Sequence, residues 1–328
     1  MRRLIGAAFA LLVLALLAGG VALLALGRLD VPGPLPQARA LVVPRGGLDQ
    51  VAEALATGGV VANALELRLT ALATRGRGTL HAGELEFPAH ASLRQVLHVL
   101  RTAKPVQHKL TVPDGLTAAQ VALLLERADA LAGEPVLPPE GRFLPETYLY
   151  DRGTTRAALA ARAEAAMGRA LDTAWASRSP GLPLATPEQA LTLASLVEQE
   201  TSRPEERPHV AAVFLNRLRL GMKLQSDPTV TYAVTGGLGG LDRPLTRADL
   251  DLDSPYNTYR YAGLPPGPIA MPSLAAVEAA VHPLGSDDLY FVADGTGGHA
   301  FAHTETEHRQ NVARWRQIEQ GRAATSPR

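Results

Sequence analysis

"TPEQALTLASLVEQETSRPEERPHVAAVFLNRLRLG", residues 186–221, reads as two helices joined by a proline-broken turn. Thr186 is an N-cap, Pro187 suits the first helical position, and Gln189 stands where a capping box closes. Val210, Phe214 and Leu218 recur at helical spacing until Gly221 stops the second helix. Four glutamates, Glu198, Glu200, Glu205 and Glu206, crowd the junction. If 187–200 is one helix, each residue turns by about 100°, so Glu198 and Glu200 point about 160° apart. They cannot jointly flank one scissile bond, as the paired carboxyls of an ordinary glycosidase do. Glu200 falls between the rows of Leu193 and Leu196, at the helix end where Ser202-Arg203-Pro204 turns the chain. Glu198 lies near Leu191 and Ala194, so the helical wheel separates the two weakly. A carboxyl against leucines is desolvated, its pKa rises, and it can hold a proton near neutral pH. The competing reading is a surface glutamate paired with Arg203 or Arg207.

Outward from this pair, "TRAALAARAEAAMGRALDTAWASR" (155–178) is a further helix, and the C-terminal part mixes turns, a strand and a last helix through Asn311 and Trp315. "LQSDPT" (224–229) carries Gln225, Ser226 and Asp227 on a turn. "SPYNTY" (254–259) presents Tyr256, Asn257 and Tyr259, side chains suited to stacking on sugar faces and bonding acetamido groups. Both are equally good turn formers. His299, His303 and His308 lack a helical acidic ligand, and "GGHAF" reads as a turn entering a strand, so no metal is expected.

Towards the N-terminus, residues 40–105 read as a small α+β module: a strand "ALVVP", a helix "GLDQVAEALATGG", a helix "VANALELRLTALATR", a strand pair in "GTLHAGELEFP" around Gly83, and a helix "SLRQVLHVLRT". "HKLTVPDGLTAAQVALLLERA" repeats strand, turn and helix within a connecting region, 106–153. Its turn-rich end, "PVLPPEGRFLPETYLY", carries Glu146.

Met1-Arg2-Arg3 precedes an uncharged run, Leu4–Gly27. At 1.5 Å per residue it reaches about 36 Å, enough to cross a bilayer core. The run is longer than the apolar core of a signal peptide, which favours an anchor. Arg2, Arg3 and the terminal amine place residues 1–3 in the cytoplasm and the chain from Arg28 onward outside. "VPGPLPQA" lies in a proline-rich spacer, 28–39, and "GRAATSPR" (321–328) reads as a disordered tail. Lys+Arg and Asp+Glu are both 32, so no basic excess points to nucleic acid. Cysteine is absent, which excludes disulfides and thiolate zinc sites.

"ASLVEQET…ERPHVAAVFLNRLRLGMKLQSDPTVTYA", "YNTYRYAGLPPGPIAMPS", "LYFVADGTGGHAF" and "GRFLPETYLY" together resemble the endolytic murein transglycosylases, the MltG/YceG-like family. The resemblance implies a transmembrane helix (4–27), a LysM-like module (40–105) and a largely helical, lysozyme-like catalytic domain of lytic-transglycosylase type (154–320). It implies Glu200, the glutamate before Thr201, as the catalytic acid of an extracytoplasmic lyase that needs no cofactor. Cleavage between N-acetylmuramic acid and N-acetylglucosamine of nascent peptidoglycan would give 1,6-anhydro ends. Gln225, Asp227, Tyr256, Asn257 and Tyr259 are the implied substrate contacts, and penicillin-binding synthases the implied partners. A non-catalytic glycan-binding scaffold and a hydrolytic muramidase are the alternatives.

Overall fold

The structure, a computed structural model, describes residues 27–325. The predicted membrane span lies almost wholly outside them. Among the described residues no helix is long and apolar enough to cross a membrane. The described residues divide into two compact units, one of residues 27–108 with 150–153, the other of 109–149 with 154–325. The region expected to connect two domains is therefore largely part of the second unit.

In the first unit, strand β1 (Arg39–Val43) pairs antiparallel with β2 (Gly83–Phe87), Leu41 opposite Leu85 and Val43 opposite Gly83. Helices α1 (Leu48–Thr57), α2 (Ala64–Ala73) and α3 (Leu93–Thr102) complete it. Ser92 and Gln95 form a reciprocal capping box that starts α3. Leu55, Leu67, Leu85, Phe87, Val96 and Leu100 form the core. The expected strand pair around Gly83 is not there. "GELEF" alone is a strand, and its partner is β1, because Leu85 and Phe87 are the inward side chains that cover Val43 and Leu55. Glu84, on the opposite face, is bound by His108 at 2.5 Å and Arg152 at 2.9 Å. Burial pushes its carboxyl up, but these two partners outweigh it and hold the group below the usual range.

β3 (Gln107–Thr111) and β4 (Thr147–Asp151) pair in a second two-stranded sheet. In the second unit, α4 (Ala118–Arg127) and the long α5 (Arg156–Ser177) precede the helix that organises the rest, α6 (Pro187–Glu200). Every residue from Ala190 to Val197 is buried, so α6 is enclosed on all sides. It packs against α5, α7 (Arg207–Arg219), α8 (Asp227–Thr235) and α10 (Leu274–Val281); the short α9 (Arg247–Leu250) lies between. Each leucine withdrawn from water here contributes about 1.5–3 kcal/mol, which fixes the helix that ends in Glu200. Thr186 caps α6 as expected, but the Gln189 carboxamide accepts from Ala185 N–H at 2.6 Å rather than closing the box on Thr186. β5 (Tyr290–Ala293) and β6 (His299–Ala302) form a hairpin, and α11 runs Glu305–Thr325. The helix thus continues into the stretch expected to be a disordered tail.

Candidate active site

The four glutamates at the end of α6 have four different fates. Glu198 is tied down on both oxygens. Oε1 accepts from Arg207 at 2.8 Å, and Oε2 accepts from the backbone N–H and the hydroxyl of Ser273, at 2.9 and 2.5 Å. Its side chain is 5% exposed and that of Arg207 10%. Ser273 is the N-cap of α10, so Glu198 holds a charge pair and a helix start in place. Glu205 is exposed. Glu206 accepts from the backbone N–H of His299 at 3.1 Å and meets its ring Nδ1 at 2.8 Å; Thr201 donates to it at 3.2 Å. That contact, with Arg203 donating to the Thr296 carbonyl at 2.7 Å, fastens the 201–206 turn to the β5–β6 hairpin.

Glu200 is different. Neither Arg203 nor Arg207 pairs with it. Ser226 donates to its Oε1 at 2.5 Å, and among the described residues no hydrogen bond reaches Oε2. The carboxyl is withdrawn from water, and burial raises its pKa to about 7. The Ser226 hydroxyl and Arg217 pull it down, while the Asp227 carboxylate adds to the rise. Half of such carboxyls carry a proton at neutral pH, the state a general acid needs.

Ser226 is itself held from behind. Its N–H donates to the Thr258 hydroxyl at 3.0 Å, Gln225 N–H donates to the Thr258 carbonyl at 3.2 Å, and Thr229 donates to Ser226 O at 2.7 Å. Gln225 adopts a left-handed φ of 51°, which turns the chain so that Ser226 faces inward while Gln225 itself stays exposed. Arg217 steadies the approach to this turn, donating to the carbonyls of Leu289 and Leu224, both at 2.7 Å.

The remaining expected contacts divide. Asp227 is exposed beside Ser226 and accepts from the Tyr259 hydroxyl at 2.6 Å. Burial and that carboxylate raise the Tyr259 phenol, which stays protonated. Tyr256 stacks at a tilt on Tyr232, with ring centres 4.9 Å apart. Asn257 does not face solvent. It is fully buried, its amide donates to the Leu250 and Leu252 carbonyls at 2.9 and 2.8 Å, and its oxygen accepts from Tyr259 N–H at 3.0 Å. With both amide protons and its oxygen engaged, it builds the turn that carries Thr258 and Tyr259 and leaves nothing to bind an acetamido group.

Gln199 and Asp227, each next in sequence to a member of the Glu200–Ser226 pair, open onto a cavity of about 380 Å³ lined also by Leu116, Thr117, Tyr232 and Ile269. Glu140, behind Tyr232, accepts from its hydroxyl at 3.1 Å and from Ala118 N–H at 2.9 Å; burial raises its pKa. Neither Glu140 nor Arg217 and Thr258 stood out in the sequence. They lie far apart in the chain and act through contacts that no local pattern records. The histidines go to separate partners: His299 to Glu206, His303 to the Asp287 carbonyl at 2.6 Å, and His308 to a stack on Tyr290. No cluster that could hold a metal occurs among the described residues.

At the end of a core helix stands a carboxyl with a raised pKa, held on one oxygen by a serine hydroxyl and open on the other, the features that acid–base chemistry requires. Residues 41–314 match the YceG-like family, and the chain belongs to it. A Streptococcus pneumoniae protein (strain D39) named endolytic murein transglycosylase is 40% identical over 181 residues, 53% of this chain and 32% of that protein. A Bacillus subtilis protein of the same name is 48% identical over 118 residues, 36% of this chain and 32% of that one. The chain therefore matches about a third of the length of these relatives. A crystal structure of a yceG-like protein from Listeria monocytogenes aligns with a TM-score of 0.50 at 27% identity, covering 84% of this chain and 99% of that chain.

Proposed function

We propose that the protein is an endolytic lytic transglycosylase of peptidoglycan with Glu200 as its one acid–base group. The observation that carries this reading is the Glu200 carboxyl, desolvated, anchored on Oε1 by Ser226 and free on Oε2. Protonated Glu200 gives its proton to the oxygen between N-acetylmuramic acid and N-acetylglucosamine, and the C1–O bond breaks. The muramic C6 hydroxyl then attacks C1, losing its proton to the Glu200 carboxylate, which returns to the starting state. The substrate brings its own nucleophile, so no second carboxylate is required. Asp227 supplies charge at the sugar face, the Tyr259 phenol, its one proton given to Asp227, supplies a ring and an acceptor oxygen, and Gln225 a further exposed amide. Asn257 is a positioning residue in this reading.

Asp227 also supports a second reading, a hydrolase in which it activates water. Mass spectrometry of products from purified glycan strands separates the two, because anhydro ends are one water lighter than reducing ends. Strands left uncut would favour a glycan-binding scaffold. The reading includes Leu4–Gly27 as a membrane anchor with the folded units outside the cytoplasm and in reach of cell-wall synthases. A C-terminal reporter active only outside the cytoplasm tests that placement.

A further inference from the structure

Helix α2 buries one face and leaves the other bare. Leu67 and Ala71 lie in the first unit's core, whereas Leu65, Leu69 and Leu72 are 54%, 58% and 54% exposed. Spaced i, i+4, i+7, these three form one stripe. A core-packed helix does not carry such a stripe without a partner. Two observations say what covers it. Arg28, the first residue after the apolar run, is ion-paired with Glu66 of α2 at 2.5 Å, and Asp30 with Arg94 at 2.7 Å. The point where that run ends is thus fastened one residue from Leu65. At the other end of the stripe, Leu72 shares a hollow of about 510 Å³ with Arg45, Arg75, His81 and Arg101. Arg75 and Arg77 follow α2 in a short turn and are exposed, and neither takes part in an ion pair among the described residues. Arg101 is oriented by the Thr74 carbonyl and hydroxyl, and its Nε is buried without a partner.

We propose that this face of the first unit is a docking site for anionic phospholipid, the leucine stripe against the acyl boundary and the arginine-lined hollow around a headgroup phosphate. The inference rests on reading Leu4–Gly27 as a membrane anchor. An apolar stripe flanked by arginine is the pattern of a helix lying in the membrane interface. The folded unit then rests on the bilayer it is tethered to instead of swinging above it, and each arginine near an anionic surface favours the docked state about fivefold.

The chain has no cysteine, so Leu69→Cys takes a single environment-sensitive dye. The full chain is reconstituted into vesicles of phosphatidylglycerol or of phosphatidylcholine, each with a bilayer-borne quencher. Flotation reports the anchor, and quenching of the dye reports docking. We expect the protein to float with both, with quenching several-fold greater in phosphatidylglycerol. Arg75→Glu with Arg77→Glu should remove that difference. A chain that floats while its dye stays in water overturns the docking site and leaves the anchor standing. Equal quenching in both lipids overturns the preference for anionic phospholipid, since phosphatidylcholine carries a phosphate without net charge, and quenching that follows protein density rather than lipid type overturns the lipid site in favour of a second copy. Flotation with phosphatidylglycerol alone, reversed by salt, keeps the lipid site and removes the anchor. Flotation with neither lipid overturns both.

Discussion

Two carboxylates two residues apart, on opposite sides of the last turn of α6, show how one residue type becomes scaffold or reagent. Glu198 too has a buried side chain, but it meets a guanidinium, a backbone N–H and a hydroxyl. Each of these is a partner that an anion, not a neutral acid, satisfies. Glu200 meets one serine hydroxyl and an anionic neighbour, with Arg217 only a weaker influence. Its burial is left uncompensated, and the group relieves it by holding a proton. Burial alone does not make an acid; the partners decide.

The strongest way to break this comparison is Glu200→Gln. An amide can neither donate nor accept the required proton, so cleavage of glycan strands should fall by at least about a thousandfold, with circular dichroism unchanged. Residual activity within tenfold of wild type would move the chemistry elsewhere. Glu198→Gln should do the reverse. It leaves the buried Arg207 charge without its counter-ion, so denaturant melts should show a loss of about 3–5 kcal/mol. Activity per folded molecule should stay near wild type.

The pH dependence sharpens the same contrast. Glu200 has a folded pKa of about 7 against 4.5 for the free side chain. The native state therefore binds more protons between those values, and stability falls as pH rises from about 4.5 to 7. The loss should be about 3 kcal/mol and absent in Glu200→Gln. Cleavage should fall about tenfold per unit above pH 7. The smallest effect concerns Ser226. Ser226→Ala removes a group that favours the Glu200 anion, so the alkaline limb should move upward. The loosened carboxyl should cost about tenfold in rate, and Ser226→Thr should restore both the limb and the rate. A rate loss with an unmoved limb would make Ser226 merely structural.

What could be read beforehand followed from local physics. Thr186, Pro187, Val210, Phe214 and Leu218 announce their helices because capping and periodicity are nearest-neighbour effects. The partner of β2 was not legible: Gly83 looks like a hairpin turn, whereas the choice of β1 as partner is a long-range packing outcome. The wheel could place Glu198 and Glu200 apart but could not rank them, since Arg207, Ser273 and Ser226 reach them across the fold. Asn257 misled for the same reason. Asparagine in a turn reads as an exposed binder, yet here the Leu250 and Leu252 carbonyls draw it inside.

The first unit is not contiguous in sequence: Tyr150–Gly153 belong to it, although residues 109–149 do not. Within that short return, Arg152 grips Glu84 at 2.9 and 3.3 Å and Tyr150 stacks on His108 at 5.8 Å. A gene fragment ending at 108 would strip Glu84 of its arginine and His108 of its stacking partner, and a fragment beginning at 109 would carry those four residues with nothing to hold. No single cut in the gene separates the two units whole, since a cut after 153 would take 109–149 away from the second, so shuffling of modules between proteins must keep the two units together.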